Sequence, residues 1–154
     1  MDDNIAARIA RLGLTIPTPR APAANYVPYV REGDLLFISG QVSVSPDLGV
    51  NGKLGESLAV EDGQRAARVC ALNILAQARA ALDGDLDRIR RLVRITVFVA
   101  SAPSFIEQHL VANGASDLLV EVLGDRGRHA RAAIGMASLP ADAAVEVDAI
   151  VAVR

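Results

Sequence analysis

Residues Arg131 to Arg154, RAAIGMASLPADAAVEVDAIVAVR, read as two strands around a Leu139-Pro140 turn. An arginine opens the first strand and one glutamate, Glu146, lies early in the second. Side chains alternate along a strand, so Val145, Val147, Ala149, Val151 and Val153 point one way. Glu146, Asp148, Ile150 and Ala152 point the other way. Helices covering the valine face would leave a second face that is part acidic and part apolar. Such a face does not sit well in water, so it is expected to pack on another subunit, with any site at the seam. Arg131 can clamp a carboxylate through two parallel hydrogen bonds. Glu146 can hold a water or move a proton.

Upstream, the pattern alternates. Ser104 and Glu107 fit a capping box that opens a helix running to about Leu123. Leu92–Ala100 reads as a strand, with Val93, Ile95, Val97 and Val99 on one face. Residues 61–82 form the clearest helix: Glu61, Gln64, Arg65 and Arg68 share one side, and Ala67, Ala71, Ile74, Ala78 and Leu82 the other. Tyr26–Arg31 and Leu35–Ser39 pair as a hairpin across Gly33-Asp34, with Gly40 closing the second strand. Residues 45–57, rich in Gly, Pro and Asn, form a loop. The order β-β-α-β-α-β-β implies an α+β sandwich, two helices on one face of a mixed sheet.

Residues 1–24 stand apart. Residues 4–12 are amphipathic, with Asp3 a candidate N-cap and Gly13 a stop. Three prolines then fall between Pro17 and Pro22. They exclude helix and favour an extended strap over the main domain, residues 25–154.

Hydrophobic residues are 51% of the 154, but aromatics only 3%, so the core must be built from Ala, Val, Leu and Ile. These small side chains bury little area each, and subunit contacts would make up the difference. Sixteen basic against 18 acidic residues give no basic field for nucleic acid and no polybasic membrane patch. No run approaches the ~20 apolar residues of a membrane span, and no signal peptide opens the chain, so a cytoplasmic location is expected. One cysteine, Cys70, excludes an internal disulfide and a cysteine metal cluster. On its helix it reads as a buried thiol.

Three segments carry a resemblance: LLFISGQ (35–41), VANGASDLL (111–119) and RAAIGMASLPADAAVEVDAI (131–150). Together they resemble the RidA/YjgF family of reactive-intermediate deaminases over residues 25–154. The resemblance implies a chorismate-mutase-like fold and a homotrimer whose sheets form a central barrel, with a cleft between each pair of subunits. The implied activity is hydrolysis of 2-imino acids to 2-oxo acids and ammonia, without metal or organic cofactor. By position, Arg131 is the carboxylate-binding arginine and Glu146 the acid near the attacking water. Tyr29 and Asn113 would line the cleft. Two positions depart from the family pattern: Ala133 where a cysteine is common, and His129-Ala130 where proline-alanine is usual.

Gly40 allows close approach of a ligand or another chain. His109 and His129 have no metal-ligand spacing and read as surface or packing residues, although His129, two before Arg131, can reach a cleft rim. Two functions fit these residues. One is a cofactor-free imine deaminase acting on a small carboxylate substrate. The other is a trimeric protein that binds such a carboxylate without turnover. Ribonuclease activity is disfavoured by the absence of a basic surface and of paired histidines. Chorismate mutase activity does not follow from a shared fold.

Overall fold

The computed structural model describes residues 4–154. Its elements are α1 (Ile5–Arg11), β1 (Tyr29–Glu32), β2 (Leu35–Val42), α2 (Val60–Ala81), β3 (Ile89–Ala100), α3 (Gln108–Leu123), β4 (Ala130–Met136) and β5 (Val145–Val153). The strands form one sheet in the order β1-β2-β5-β3-β4. All neighbours are antiparallel except β3 and β4. A right-handed connection through α3 suits that parallel pair.

Both long helices cover one face. α2 lies over β2 and β5, and α3 over β3 and β4. The valine face of β5 points at them: Val145, Val147, Ala149, Val151 and Val153 are all buried, as period two required. The apolar stripe of α2 meets it through Ala67, Cys70, Ala71, Ile74 and Ala78. The buried core holds aliphatic side chains and Cys70, with no aromatic ring. Burial raises the Cys70 thiol well above its ordinary value, with Glu146 adding to the shift, so the sulfur is an inert filler.

The other face of the sheet carries no helix. It presents Val30, Phe37 and Ile150 in one row, since Val30 opposes Phe37 and Phe37 opposes Ile150. Val30 and Phe37 are exposed.

Three expectations need correction. The Ser104–Glu107 capping box does not form. Residues 102–105 make a turn instead, with the Phe105 N–H donating to the Ala102 carbonyl. α3 starts after Glu107, whose side chain makes no cap bond. Gln108 takes over locally, its Nε2 donating to the Phe105 carbonyl at 2.7 Å. Second, Val93 does not share a face with Ile95. The register slips between Leu92 and Arg94, so Leu92 turns inward and Val93 outward. Third, β2 does not end at Gly40. It runs to Val42 through an irregularity between Ile38 and Gln41.

The N-terminal segment is fastened from α2. Asn4 caps α1, accepting from the Ala7 N–H at 2.8 Å. Asp3, the expected cap, lies outside the described residues. Gly13 ends the helix at φ 65°. The proline strap cannot satisfy its own backbone. Arg79 donates to the carbonyls of Ile16 and Pro17, and the buried Gln77 to that of Arg20. No helix among the described residues is long and apolar enough to cross a membrane.

Candidate functional site

β4 is an edge strand, and its register decides where Arg131 points. Arg131 pairs with Ile95, a fully buried residue of the helix-facing side. The arginine therefore leaves the sheet toward α3. There its Nη1 donates to Asn113 Oδ1 and to Ser116 Oγ, both at 3.0 Å. Its Nη2 donates to the carbonyl of His109 at 3.1 Å. A guanidinium has five N–H groups in a fixed plane. Three are held by α3, and Nε–H with one Nη2–H keep no acceptor among the described residues. An Nε–H and an Nη2–H on one side of a guanidinium form the fork that a carboxylate accepts.

Asn113 thus lies beside Arg131. Ser116 and His129 complete the cluster, and reading the sequence residue by residue did not assemble it. Their spacing held the signal. Asn113 and Ser116 are three apart on one helix face, and His129 and Arg131 are two apart along one strand direction. His129 Nδ1 bonds the Gly127 carbonyl, and its Nε2 lies 2.9 Å from Ser116 Oγ. Burial lowers the pKa of this imidazole. The Gly127 carbonyl opposes that shift and the Arg131 charge adds to it. A neutral ring with Nδ1–H donating leaves Nε2 to accept the Ser116 hydroxyl proton.

Glu146 lies elsewhere. It opposes Phe98 on β3 and Val42 on β2, on the face away from the helices. Its carboxylate rests over Gly40, where a Cβ would come within 2.9 Å of Glu146 Cδ. The acid occupies the space that a side chain at Gly40 would take, and it would have to shift to admit one. Partial burial raises the Glu146 pKa, and Asp148 raises it further. Asp148, two residues on, accepts from the Thr96 N–H at 3.2 Å. Beside it a shallow cavity of about 430 Å³ runs along the open face between Gly40, Phe37, Arg94, Asp148 and Ile150.

Tyr29 opposes Ile38 on β1, the other edge of the sheet, and packs half-buried on the core. Within one chain the structure therefore brings Arg131 to Asn113, and Glu146 to Gly40. It does not bring these two pairs, or Tyr29, together. No cluster of three or more His, Cys, Asp or Glu side chains among the described residues is arranged to hold a metal ion.

Residues 6–151 match the family model described as "YjgF/chorismate_mutase-like, putative endoribonuclease". Protein TCP17 of Trypanosoma cruzi is 55% identical over 151 residues, covering 96% of this chain and 93% of that protein. The crystal structure of Atu1372 from Agrobacterium tumefaciens, a protein of unknown function, superposes with a TM-score of 0.90 at 53% identity, covering 97% of this chain and 92% of that one. TdcF of E. coli, solved with bound serine, superposes at 0.62 with 27% identity, covering 91% and 95%.

Proposed function

The chain belongs to the YjgF/chorismate-mutase-like family, and from that premise we propose that it hydrolyses 2-imino acids, or their enamine tautomers, to 2-oxo acids and ammonia. The observation that carries this reading is the Arg131 guanidinium, held by α3 on three N–H groups with its Nε side open. That open fork suits a planar carboxylate next to a reactive carbon. The serine bound to TdcF, a relative, also carries a carboxylate.

In this mechanism water adds to the imine carbon and gives a carbinolamine. As the carbinolamine forms, Glu146 takes one proton from the water and passes it to the nitrogen; as it collapses, Glu146 takes the hydroxyl proton and passes it to the same nitrogen, the C=O bond forms, the C–N bond breaks, and ammonia and the 2-oxo acid leave. The electrophile is already reactive, so positioning and proton transfer are the chemistry required. A half-buried glutamate with a raised pKa suits the transfer, because it gives up its proton nearer neutrality than an exposed one does.

Glu146 and Arg131 lie on opposite faces of the sheet in one chain, so the proposal includes assembly. We propose a homotrimer in which a neighbouring chain packs on the open sheet face, bringing the Glu146 of one chain toward the Arg131 of the next. Tyr29 then approaches the Arg131 of a neighbour, and the apolar row on the open face is covered. Sedimentation should give three chains per particle; a monomer would remove the shared cleft.

The test is ammonia release from 2-iminopropionate and 2-iminobutyrate generated in situ by an amino-acid oxidase. Glu146→Gln should lower the rate by about 10²–10⁴-fold, the usual weight of acid–base catalysis. The affinity for the 2-oxo product should change by less than about twofold, since neither carboxylate-binding donor is touched. In the wild type, activity should rise with pH as the buried carboxyl ionises. Stability should run the other way. The folded state holds this proton more tightly than the unfolded chain, so stability falls as pH rises from the ordinary glutamate range through the raised pKa. Glu146→Gln should flatten that slope. Equal rates for wild type and variant would remove Glu146 from the chemistry. No ammonia release above background in the wild type would instead favour binding without turnover, a reading that retains Arg131 and gives Glu146 no role. Ribonuclease chemistry is not proposed, because both ring nitrogens of His129 are already engaged by Ser116 and Gly127.

A further inference from the structure

We propose that His129 is a positioning residue: through the Ser116 hydroxyl it sets the Arg131 guanidinium in the orientation that receives a ligand carboxylate. The inference rests on reading Arg131 as that clamp.

The geometry is a chain of three contacts. The Gly127 carbonyl takes the Nδ1 proton and fixes the ring and its tautomer. Nε2, 2.9 Å from Ser116 Oγ, then accepts the hydroxyl proton. With its hydrogen turned to the ring, the Ser116 oxygen keeps a lone pair for Arg131 Nη1 at 3.0 Å. A serine hydroxyl rotates freely unless something holds it. Here the imidazole holds it, and the guanidinium plane is pinned between Ser116 Oγ and Asn113 Oδ1.

Protonation breaks this arrangement. An imidazolium has no acceptor, so its Nε2–H would compete with Arg131 for the Ser116 oxygen. Two cations would also face each other across one hydroxyl. The groups around the ring offer no relief. β4 presents Arg131, α3 presents the neutral Ser116 and Asn113, and the preceding turn presents a carbonyl, with Asp125 already paired to Arg128 at 3.4 Å. The ring is thus built to remain neutral, and carboxylate binding should weaken only when acid forces a proton onto it.

The experiment measures pyruvate affinity by calorimetry from about pH 5 to 8, the range in which a histidine titrates. Wild-type affinity should be constant near neutrality and fall as the pH drops through the His129 pKa. His129→Leu should bind about fivefold more weakly at pH 7.5, the worth of roughly one neutral hydrogen bond. Its pH dependence should be lost. His129→Gln, whose amide oxygen can reach the Nε2 position, should restore most of the affinity and stay flat with pH. A variant with wild-type affinity and an unchanged profile would overturn the proposal. So would a crystal structure of His129→Leu in which Ser116 still meets Arg131 as before, a readout that needs no ligand. If wild-type protein binds no pyruvate at all, the clamp reading fails by itself, and that crystal structure still decides the role of His129.

Discussion

Arg131→Ala is expected to weaken 2-oxo acid binding by about 10²–10⁴-fold and to abolish imine hydrolysis while leaving the fold intact. The substitution removes two charge-assisted hydrogen bonds and the positive charge that faces the carboxylate; each such bond is worth about 1.5–3 kcal/mol. The fold should survive because β4 is an edge strand and the arginine is only half-buried. The acceptors it vacates, Asn113, Ser116 and the His109 carbonyl, can turn to water. Arg131→Lys keeps the charge but loses the fork, and should recover only part of the binding. Calorimetry with pyruvate, alongside a thermal melt of each variant, separates affinity from stability. An unchanged dissociation constant in Arg131→Ala would remove the clamp, and with it the main support for the proposed activity.

The second large effect belongs to Gly114. α2 and α3 cross so closely at this glycine that a Cβ would stand 2.7 Å from the carbonyl carbon of Gln64 and 2.8 Å from its Cα. These are backbone atoms, and no rotamer change moves them away. The crossing is fastened on the same side, where Gln64 Nε2 donates to the Leu110 carbonyl at 3.0 Å. Alanine is the better helix former by about 1 kcal/mol, so an elastic crossing would let Gly114→Ala stabilise the protein. Overpacking typically costs about 1–3 kcal/mol, and more against backbone. We expect the clash to win, with a net loss of about 2–3 kcal/mol and a Tm lowered by roughly 5–10 °C. A raised Tm would show that the helices can separate freely. Gly114 also sits between Asn113 and Ser116, so forcing α3 outward should loosen the seat of Arg131. Carboxylate binding should then fall in the variant even well below its melting temperature.

Much of this was legible in the sequence, and the reasons differ by element. The alternation in β5 and the 3.6-residue stripe of α2 each placed an apolar face, and both faces meet in the core. The start of α3 was misread because Ser104 and Glu107 satisfy a local rule. Phe105 and Gln108 override it, through a turn to Ala102 and a side-chain bond back to the Phe105 carbonyl. Val93 was misplaced because a one-residue slip in β3 leaves no trace in the order of valines. At the site, Arg131 and Glu146 were each recognisable as chemistry. Their relation was not, because the face that Arg131 takes depends on its pairing with Ile95, a contact 36 positions away. The Asn113, Ser116 and His129 cluster depends on the same pairing, since it exists only once β4 lies beneath α3.

The sheet that separates Glu146 from Arg131 also makes the proposed chemistry depend on concentration. A chain alone in solution would hold the clamp and the acid back to back, with the sheet between them, and could use neither with the other. Folding would then be insufficient for activity, and encounter between chains would complete the catalyst. As the protein is diluted past the point where its subunits part, turnover should fall more steeply than the amount of protein, without any residue being altered. In a cell, the rate of synthesis would set the quality of the enzyme as well as its quantity.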